Sequence, residues 1–582
     1  MDVMKKPGFF DRSELAATLW LFRREFLVCL IFTMVINLLM LTPTLYMLQV
    51  FDRVFASQSE LTLLALTLVM LYLFIVMTFA EWSRSRLLVR TGVKLDTQLD
   101  SRVFNASFES YLSQTGANPT QPFSDLTNIR QFLTGTGLFA LLDAPWTPIY
   151  LVVLFMLHPT LGWLSLFFIL LSIGLAYLGH RLTHRQIDQA REAGVEVNVY
   201  VQSKLKNSDV IESMGMLGDL RRRWQRRHQR HLELQHRAQD MGQRMQSLSK
   251  FLRYTQNSLA LGAGALLVIK GELSLGGIVA ASMLMNRATQ PVDMMVSQWK
   301  FFLAARKSFE RLETLLARHP QRDAGQVHPV PQGHLQIENL VASAPARALP
   351  ILKGLSADFP AGATSVIIGA SGSGKSTLAR ALIRIWPNLS GQVLIDGEPM
   401  ANWDREQLGP FLGYLPQNIE LFEGSIAENI ARFGDINPQK VIAACQRAGV
   451  HDMILRLPRG YDTSIGEAGN LLSGGQRQRI GLARAMYGDP SVIVLDEPDS
   501  NLDEAGEAAL VKAIQDLKQQ GKTIVLITHR MNIIGVADRI IVMNDGVITQ
   551  CGPAQEFIAA MAARASASGN TGATATPVAQ PA

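Results

Sequence analysis

Two short segments carry the residue types that could bind and cleave a nucleotide. The first is Gly369-Ala-Ser-Gly-Ser-Gly-Lys375-Ser376-Thr377, which follows an apolar, β-branched run from Thr364 to Gly369. Its glycines leave room for backbone N–H groups to surround a phosphate, and the helix N-terminus that follows adds positive partial charge. We expect Lys375 to reach the β- and γ-phosphates of ATP and Ser376 to ligate Mg²⁺. The predicted nucleotide-binding residues of this phosphate loop are Gly369, Ser371, Gly372, Ser373, Gly374, Lys375, Ser376 and Thr377.

The second segment is an apolar run, Ser491 to Asp496, which ends in two adjacent carboxylates. A buried strand that delivers an acid at its carboxyl end is well placed to hold Mg²⁺ beside a phosphate loop. We therefore expect Asp496 to bind the metal, through water, and Glu497 to polarise the attacking water as general base.

A third segment, Leu472-Ser-Gly-Gly-Gln476, predicts another anion cradle made of backbone N–H groups at the start of a helix. One nucleotide does not need two cradles within one chain. Two chains packed head to tail would need them, because each cradle would then cap the γ-phosphate held by the other chain. The sequence therefore predicts a homodimer.

The chain that must position these segments is part membrane protein and part globular protein. Hydrophobic residues make up 48% of its 582 residues and charged residues 18%, below the usual level of about 25%. These values exclude a disordered chain and argue against an ordinary soluble enzyme. The three cysteines lie far apart, which rules out a disulfide framework and a cysteine-based zinc site. Six runs are predicted to cross a hydrocarbon core about 30 Å thick; they are Phe26 to Val50, Leu61 to Ala80, and about 138–157, 161–179, 252–270 and 274–298.

Loop charges predict the orientation of these spans. The N-terminal segment and the loops 81–137 and 180–250 are rich in lysine and arginine, so we place them in the cytoplasm. An even number of spans returns the C-terminus to the same side. The first apolar run is too long for a signal peptide and lacks a cleavage site. The net charge of +6 is attributed to this topology, and no nucleic-acid partner is expected.

The globular half resembles the nucleotide-binding domain of ATP-binding-cassette (ABC) transporters over residues 335–560. The resemblance implies that Gln417 senses Mg²⁺ and couples to the membrane domain, and that Leu472 to Gln476 is the family signature. It also implies that the loop Ser500 to Asp503 crosses the dimer and that His529 contacts the γ-phosphate. The site residues that it adds are Gln417 and His529 as catalytic residues, Gln417 with Ser376 and Asp496 at the metal, and Ser473, Gly474, Gly475, Gln476 and Asp503 at the nucleotide.

One feature departs from the family pattern. Many members stack adenine on an aromatic residue about 25 positions before the phosphate loop, and the stretch Val341 to Pro350 contains none. Base stacking contributes about 1–3 kcal/mol per base. Either base selectivity is loose, or Pro345 and Arg347 supply the surface.

The implied fold is an α-helical six-span transmembrane domain like that of type I ABC exporters, followed by an α/β P-loop nucleotide-binding domain with a helical signature subdomain. The predicted boundaries are 1–25 for a cytoplasmic N-terminal segment, 26–302 for the membrane domain, 303–334 for a linker, 335–563 for the nucleotide-binding domain and 564–582 for a disordered tail.

The membrane half narrows the resemblance to ATPases of type I protein secretion, of the group that exports alkaline proteases, lipases, haem-binding proteins and S-layer proteins. The segments that carry it are Leu41 to Val54, Phe139 to Tyr150 and Ile211 to Leu217. The resemblance implies an unfolded polypeptide cargo with an uncleaved C-terminal signal, often with calcium-binding repeats. It also implies a periplasmic adaptor (membrane fusion protein), an outer-membrane duct and a lipid environment in the inner membrane of a Gram-negative cell. The short N-terminal segment leaves no room for a peptidase domain, so no leader cleavage is expected.

Two alternatives and two details stay open. The same engine could export lipid or a small amphiphile, and a nonhydrolysing scaffold would need a broken site that this sequence does not show. Segments at about 114–122 and 207–217 are candidate coupling helices. Arg287, about 13 residues into the sixth span, would line a cavity or lie near the membrane interface, depending on where that span begins.

Overall fold

The structure is a computed structural model in which the chain forms two compact units. One comprises Met1–Ser107 and Thr120–Pro320, and the other comprises Phe108–Pro119 and Gln321–Ala582. The residues that the structure describes are 13–113, 120–205, 207–321, 328–344, 349–387, 389–466 and 472–559. Pro345 and Arg347, most of the first candidate coupling helix and the predicted tail lie outside them.

The first unit is helical throughout its described length. Its helices are α1 (Glu14–Leu21), α2 (Arg23–Leu39), α3 (Thr42–Gln49), α4 (Glu60–Ser113), α5 (Gln121–Thr134), α6 (Thr136–Asp143), α7 (Thr147–Leu157), α8 (Pro159–Leu205), α9 (Ser208–Ser213), α10 (Leu217–Ile269) and α11 (Leu275–Arg318). Prolines near the starts of α3 and α7 mark where the first and third apolar runs are divided, since proline lacks an N–H and its ring crowds the preceding helical turn.

Four helical segments of the described chain are long and apolar enough to cross a membrane. They are Arg23–Ser57, Glu60–Ser113, Thr136–Leu157 and Pro159–Leu205, and they contain the first four predicted spans. The fifth and sixth predicted spans lie within α10 and α11, whose polar side chains keep them below the same mean hydropathy. Those two spans, and hence the count of six, remain predictions.

Long helices carry the polar loops far beyond the apolar runs, as the sequence indicated. Helix α4 continues to Ser113 and α8 continues to Leu205. Helix α11 likewise runs unbroken through Pro291 to Arg318, so the first part of the predicted linker is helical. The third and fourth predicted spans are separated by a tight turn at His158, since α7 ends at Leu157 and α8 begins at Pro159.

A buried polar cluster joins three helices of this unit. The Nη1 atom of Arg84 donates to Thr33 Oγ1 at 3.1 Å and lies 3.5 Å from Asp143 Oδ1. The guanidinium lies over the ring of Phe139 at 4.2 Å, and Asn37 Nδ2 donates to the same aspartate oxygen at 2.9 Å. A buried charge is tolerated only when it is paired and hydrogen-bonded, so this cluster ties α4 to α2 and α6.

We expect Arg84→Ala to destabilise the protein by about 3–5 kcal/mol, because the substitution leaves Asp143 without its cationic partner. The measurement is the apparent melting temperature of the protein in lipid nanodiscs, which should fall by several degrees. Arg90→Ala, at an exposed position on the same helix, is the control. Adding Asp143→Ala to Arg84→Ala should restore part of the loss. Equal melting temperatures for Arg84→Ala and the control Arg90→Ala would show that the Arg84–Asp143 pair does not stabilise the protein.

The second unit is α/β. Its strands are β1 (Leu335–Ser343), β2 (Pro350–Phe359), β3 (Thr364–Gly369), β4 (Leu389–Ile395), β5 (Glu398–Pro399), β6 (Leu412–Leu415), β7 (Gly424–Ser425), β8 (Ser464–Ile465), β9 (Val492–Asp496), β10 (Thr523–Ile527), β11 (Arg539–Asn544) and β12 (Val547–Pro553). Its helices are α12 (Lys375–Leu382), α13 (Arg405–Leu408), α14 (Ile426–Ile430), α15 (Pro438–Arg447), α16 (His451–Leu455), α17 (Gly474–Met486), α18 (Glu504–Gln519) and α19 (Met531–Ile534).

A six-stranded sheet forms the centre of this unit, in the order β12-β11-β3-β10-β9-β6. All of its neighbouring pairs are parallel except β11 with β12. Every residue of β9 and β10 is buried, which explains why these strands are continuous apolar runs rather than alternating ones. An antiparallel four-stranded sheet, β2-β1-β4-β5, completes the layer that packs against α12.

Candidate nucleotide-binding site

Four neighbouring strands deliver the predicted site residues to one edge of the central sheet. The phosphate loop follows β3, the paired acids follow β9, and His529 follows β10. Gln417 lies two residues beyond β6. The register places Ile527 beside both Asp496 and Ile367, so the ends of β3, β10 and β9 are level. Ligands of parallel sheets bind outside such carboxyl ends.

The phosphate loop requires its glycines. Gly369, Gly372 and Gly374 have φ angles of +155°, +80° and +97°, which other residues rarely adopt. A Cβ atom on Gly369 would lie 2.2 Å from the carbonyl oxygen of Met543. The loop therefore keeps a shape that requires glycine at these three positions.

Lys375 begins α12 and its side chain folds back over the loop. Its Nζ atom donates to the carbonyl oxygens of Gly369 and Ala370, each at 2.9 Å. Burial lowers the pKa of this ammonium group, while the carboxylates of Glu497 and Asp496 oppose that shift. A phosphate in the loop would add the negative charge that a partly desolvated cation favours.

The predicted metal position is supported by an unsatisfied oxygen. Ser376 Oγ donates to Asp496 Oδ1 at 3.2 Å, and Oδ2 of the same buried aspartate has no hydrogen-bond partner within the described residues. Burial raises the pKa of Asp496, and the hydrogen bond from Ser376 opposes the shift. Hydroxyl and carboxylate oxygens are the ligands that Mg²⁺ prefers. The residues present therefore fit a magnesium ion.

Hydrogen bonds to its side chain, its N–H and its carbonyl hold Glu497 in place. Gln417 Nε2 donates to Glu497 Oε2 at 2.8 Å, which brings together the predicted general base and the predicted coupling residue. Glu497 has a φ of +51°, an uncommon left-handed conformation for a residue with a side chain. Its N–H donates to the carbonyl of Ile527 at 2.9 Å, and its carbonyl accepts from Gln478 Nε2 at 3.2 Å. Backbone strain of this kind persists where surrounding contacts over-determine it.

Two of the residues that hold this region were not identified from sequence. Gln478 is buried and donates to the carbonyl of Pro498 at 2.9 Å as well. Asp499 accepts from Thr528 Oγ1 at 3.0 Å, which connects the loop after β9 to the loop after β10. The sequence offered one signal for each residue. Gln478 lies in the arginine-rich start of a helix, and Asp499 is a third acid soon after the paired acids.

His529 lies two residues beyond the end of β10. Its side chain is exposed, and within the described residues its ring makes no hydrogen bond. The neighbouring Arg530 lies 3.6 Å from Asp499 and 3.6 Å from Glu507, so the turn that carries the histidine is anchored beside it. Contact of His529 with a γ-phosphate remains a prediction.

The signature segment begins α17 with a capping box. Ser473 Oγ accepts from the N–H of Gln476 at 3.2 Å, and Gln476 Oε1 accepts from the N–H of Ser473 at 2.9 Å. The two side chains thus satisfy each other and fix the helix N-terminus, where Gly474 and Gly475 lie. Within the described residues no hydrogen bond joins this segment to the phosphate loop.

Asp503 has a structural role that the resemblance did not indicate. Its carboxylate caps α18 by accepting from the N–H of Gly506 at 3.0 Å. The loop ahead of it packs against the signature segment, because a Cβ atom on Gly475 would lie 2.8 Å from the carbonyl oxygen of Asn501. A direct contact of Asp503 with nucleotide stays a prediction.

We expect Gly475→Ala to lower ATP hydrolysis by about tenfold to hundredfold, because the added methyl group must displace the Asn501 backbone and small shifts at a reacting centre are costly. The measurement is the steady-state rate of phosphate release at saturating ATP. Gly409→Ala is the matched control, since a Cβ atom there meets nothing within 4 Å. An unchanged rate in Gly475→Ala would show that the loop yields without consequence for the site.

Arg432 holds the other end of the signature helix. Its buried guanidinium donates to the carbonyls of Arg484, Ala485 and Tyr487, at 3.1–3.3 Å, and to that of Gly409 at 2.9 Å. The last carbonyls of a helix have no partner within it, and Arg432 supplies one from the segment after α14. Burial lowers the pKa of this guanidinium, and no sequence motif signalled its role.

Known proteins share both halves of the chain. The family described as ABC transporter transmembrane region matches residues 26–292, and the family described as ABC transporter matches residues 352–500. The chain is 40% identical to the type I secretion system ATP-binding protein PrsD of Rhizobium meliloti, over 90% of each protein. It is 30% identical to the leukotoxin translocation ATP-binding protein LktB of Bibersteinia trehalosi, over 94% of this chain and 78% of that protein.

A solved structure confirms the fold. The structure of a bacterial Atm1-family ABC exporter with ATP bound matches with a TM-score of 0.81, at 20% identity, over 96% of this chain and all of that one. A helical membrane region followed by a P-loop α/β domain with paired acids and a signature helix defines an ABC transporter. Within that class, the chain belongs to the ATP-binding proteins of type I secretion systems. It is therefore a multi-pass membrane protein that binds and hydrolyses ATP to drive transport, as the sequence predicted.

Proposed function

We propose that the chain exports unfolded polypeptides that carry an uncleaved C-terminal signal, as the ATPase and permease of a type I secretion system. The observation that carries this proposal is the match to PrsD over 90% of each protein, which includes the membrane half as well as the ATPase. The membrane half is the part of the chain through which the cargo would pass, so a match confined to the ATPase would support no particular cargo.

The chemistry follows from the geometry of the site. Lys375 and the phosphate loop bind and orient the β- and γ-phosphates, while Ser376 and Asp496 hold Mg²⁺. The ion, when bound, neutralises charge on the transferred phosphate oxygens. Glu497 accepts a proton from the attacking water, and Gln417 keeps that carboxylate oriented through the 2.8 Å hydrogen bond. In this proposal His529, beyond the end of β10, contacts the γ-phosphate.

Turnover needs a second copy of the chain in this proposal. The N-terminus of α17 cannot cap the nucleotide of its own phosphate loop and that of a partner at once, so a homodimer with two shared sites uses both cradles. ATP binding brings the two nucleotide-binding domains together, and hydrolysis separates them. Gln417 and the segment around α9 transmit this movement of the nucleotide-binding domains to the membrane spans. Met214, which directly follows α9, is 71% exposed.

The proposed setting is the one that the family resemblance implies. The chain lies in the inner membrane of a Gram-negative cell with both termini in the cytoplasm, and a periplasmic adaptor and an outer-membrane duct continue the path. Arg287 donates to Gln290 at 3.0 Å and is half-buried within α11. That hydrogen bond satisfies one donor of the guanidinium group and leaves its charge without an ion-pair partner among the described residues.

The test is to purify tagged Glu497→Gln chain from its native membrane with ATP present and to identify bound proteins by mass spectrometry. A tagged Lys375→Ala chain, which should not hold ATP, is the control. Enrichment of a periplasmic adaptor with the first variant over the second supports the proposal. Recovery of lipid alone after crosslinking, without any adaptor, would favour the lipid exporter instead.

A further inference from the structure

One stretch of a single helix carries a large excess of positive over negative charge. Residues 221–237 of α10 contain seven arginines and one glutamate, a balance that by itself equals the net charge of +6 of the whole chain. Four of these arginines follow one another at helical spacings of three, four and seven, which places them on one face. This arginine stripe consists of Arg223, Arg226, Arg230 and Arg237.

The stripe is exposed and its charges are not neutralised within the described chain. All four side chains are exposed, and none of them forms an ion pair with a described carboxylate. The ion pairs of this region use other residues, since Arg222 pairs with Asp219 and Arg227 lies 3.0 Å from Glu196. Helix α8 covers a different face of α10, through the stacking of Arg227 on Tyr200 at 4.4 Å and the buried Ala238.

Membrane topology accounts for no more than the Arg237 end of the stripe. Positive charges orient spans when they lie within about 15–20 residues of the apolar segment. Arg237 is 15 residues and Arg223 is 29 residues from Leu252, where the fifth predicted span begins. At 1.5 Å per helical residue these distances are about 22 Å and about 44 Å. Lipid headgroup charges are screened within about 8 Å, so most of the stripe is out of their reach.

The shape of the stripe suits an extended chain. From Arg223 to Arg237 it covers about 21 Å of helix, the length of about six extended residues. Guanidinium groups bind carboxylates through paired hydrogen bonds. Leu232, 47% exposed, adds apolar surface nearby. A nucleic acid would favour aromatic platforms for base stacking, and Trp224, the aromatic residue at this level, is already stacked on His228.

We propose that the arginine stripe is a docking surface for an acidic, unfolded segment of the exported polypeptide on the cytoplasmic side. The proposal rests on the proposed function, because it takes the cargo to be a polypeptide. Opposite charge along a pathway raises the local concentration of a charged partner and the rate at which it arrives. The stripe would thus collect cargo before ATP-driven movement begins.

The test measures binding of a fluorescein-labelled, disordered Asp/Gly peptide of about 20 residues, longer than the stripe, to the full chain in phosphatidylcholine nanodiscs. An Asn/Gly peptide of equal length is the ligand control. The variant replaces all four stripe arginines with glutamine. The control variant removes four exposed cations from other helices by Arg90→Gln, Lys94→Gln, Arg185→Gln and Arg191→Gln.

Fluorescence anisotropy should show that the stripe variant binds the acidic peptide about tenfold or more weakly than the native chain, since several ion pairs are lost together. The control variant should keep the native affinity, and replacing the four arginines with lysine should preserve most of it. Binding to the native chain should weaken as salt is raised.

Three outcomes would overturn the proposal. Equal affinity of the native chain and the stripe variant would show that the stripe does not bind acidic peptide. Dissociation of the stripe variant into monomers would assign the stripe to a contact between two copies of the chain. Tighter, stripe-dependent binding of a single-stranded oligonucleotide than of the peptide would assign it to nucleic acid. None of these results depends on ATP hydrolysis or on the adaptor, so they are distinguishable from failure of the proposed function.

Discussion

Glu497→Gln is expected to lower the rate of ATP hydrolysis by about a hundredfold or more while ATP still binds, because general-base catalysis contributes about 10²- to 10⁴-fold. The amide keeps the shape of the side chain and can still contact Gln417, which now lies 2.8 Å from the carboxylate. It cannot accept the proton of water. Nucleotide should therefore accumulate on the protein instead of turning over.

The measurements are steady-state phosphate release and the affinity for a fluorescent ATP analogue, both on the full chain in nanodiscs. Glu504→Gln is the matched control, because this exposed acid lies seven residues later at the start of α18. A normal rate in Glu497→Gln would remove Glu497 as the base. Loss of ATP binding in that variant would show instead that Glu497 holds the nucleotide site together.

Lys375→Ala is expected to weaken ATP binding by about tenfold to hundredfold, because a hydrogen bond to a charged group is worth about 1.5–3 kcal/mol. In the structure its ammonium group is bound by two carbonyls of the phosphate loop, at 2.9 Å each. Phosphate oxygens would compete with those carbonyls for the N–H donors of the Lys375 ammonium group, and an alanine side chain has no such donor.

Equilibrium binding of the fluorescent analogue measures this effect, with Lys512→Ala, an exposed lysine on α18, as the control. The melting temperature of Lys375→Ala without nucleotide shows whether the loop still folds. An affinity equal to that of the native chain, in a variant that melts normally, would refute the assignment of Lys375 to the phosphates.

The strands that carry the site were predictable because each is a short apolar run that is followed directly by glycines or polar side chains. The predicted strand at Thr364–Gly369 matches β3 in full, and β9 begins one residue later than the predicted run from Ser491 to Asp496. Buried parallel strands read as continuous apolar segments, and glycines, paired acids and a Thr-His pair mark where they end. Local composition was sufficient for these elements.

The membrane half was less predictable in detail. Apolar length located four spans that the structure supports, yet it did not show that prolines divide two of them. The fifth and sixth predicted spans carry polar side chains, and they are not among the four helical segments that are apolar enough to cross a membrane by length and composition.

The amino-acid sequence determined which residues meet the nucleotide, since phosphate, metal and water each demand particular side chains at fixed distances from a strand end. The folded chain determined how those residues are held. Gln478 reaches the carbonyl of Glu497, Asp499 joins two loops, and Arg432 caps a helix from 52 residues away in sequence. Such contacts depend on which buried groups lack partners once the chain is packed. They leave no motif, because any residue of the right reach and polarity could supply them.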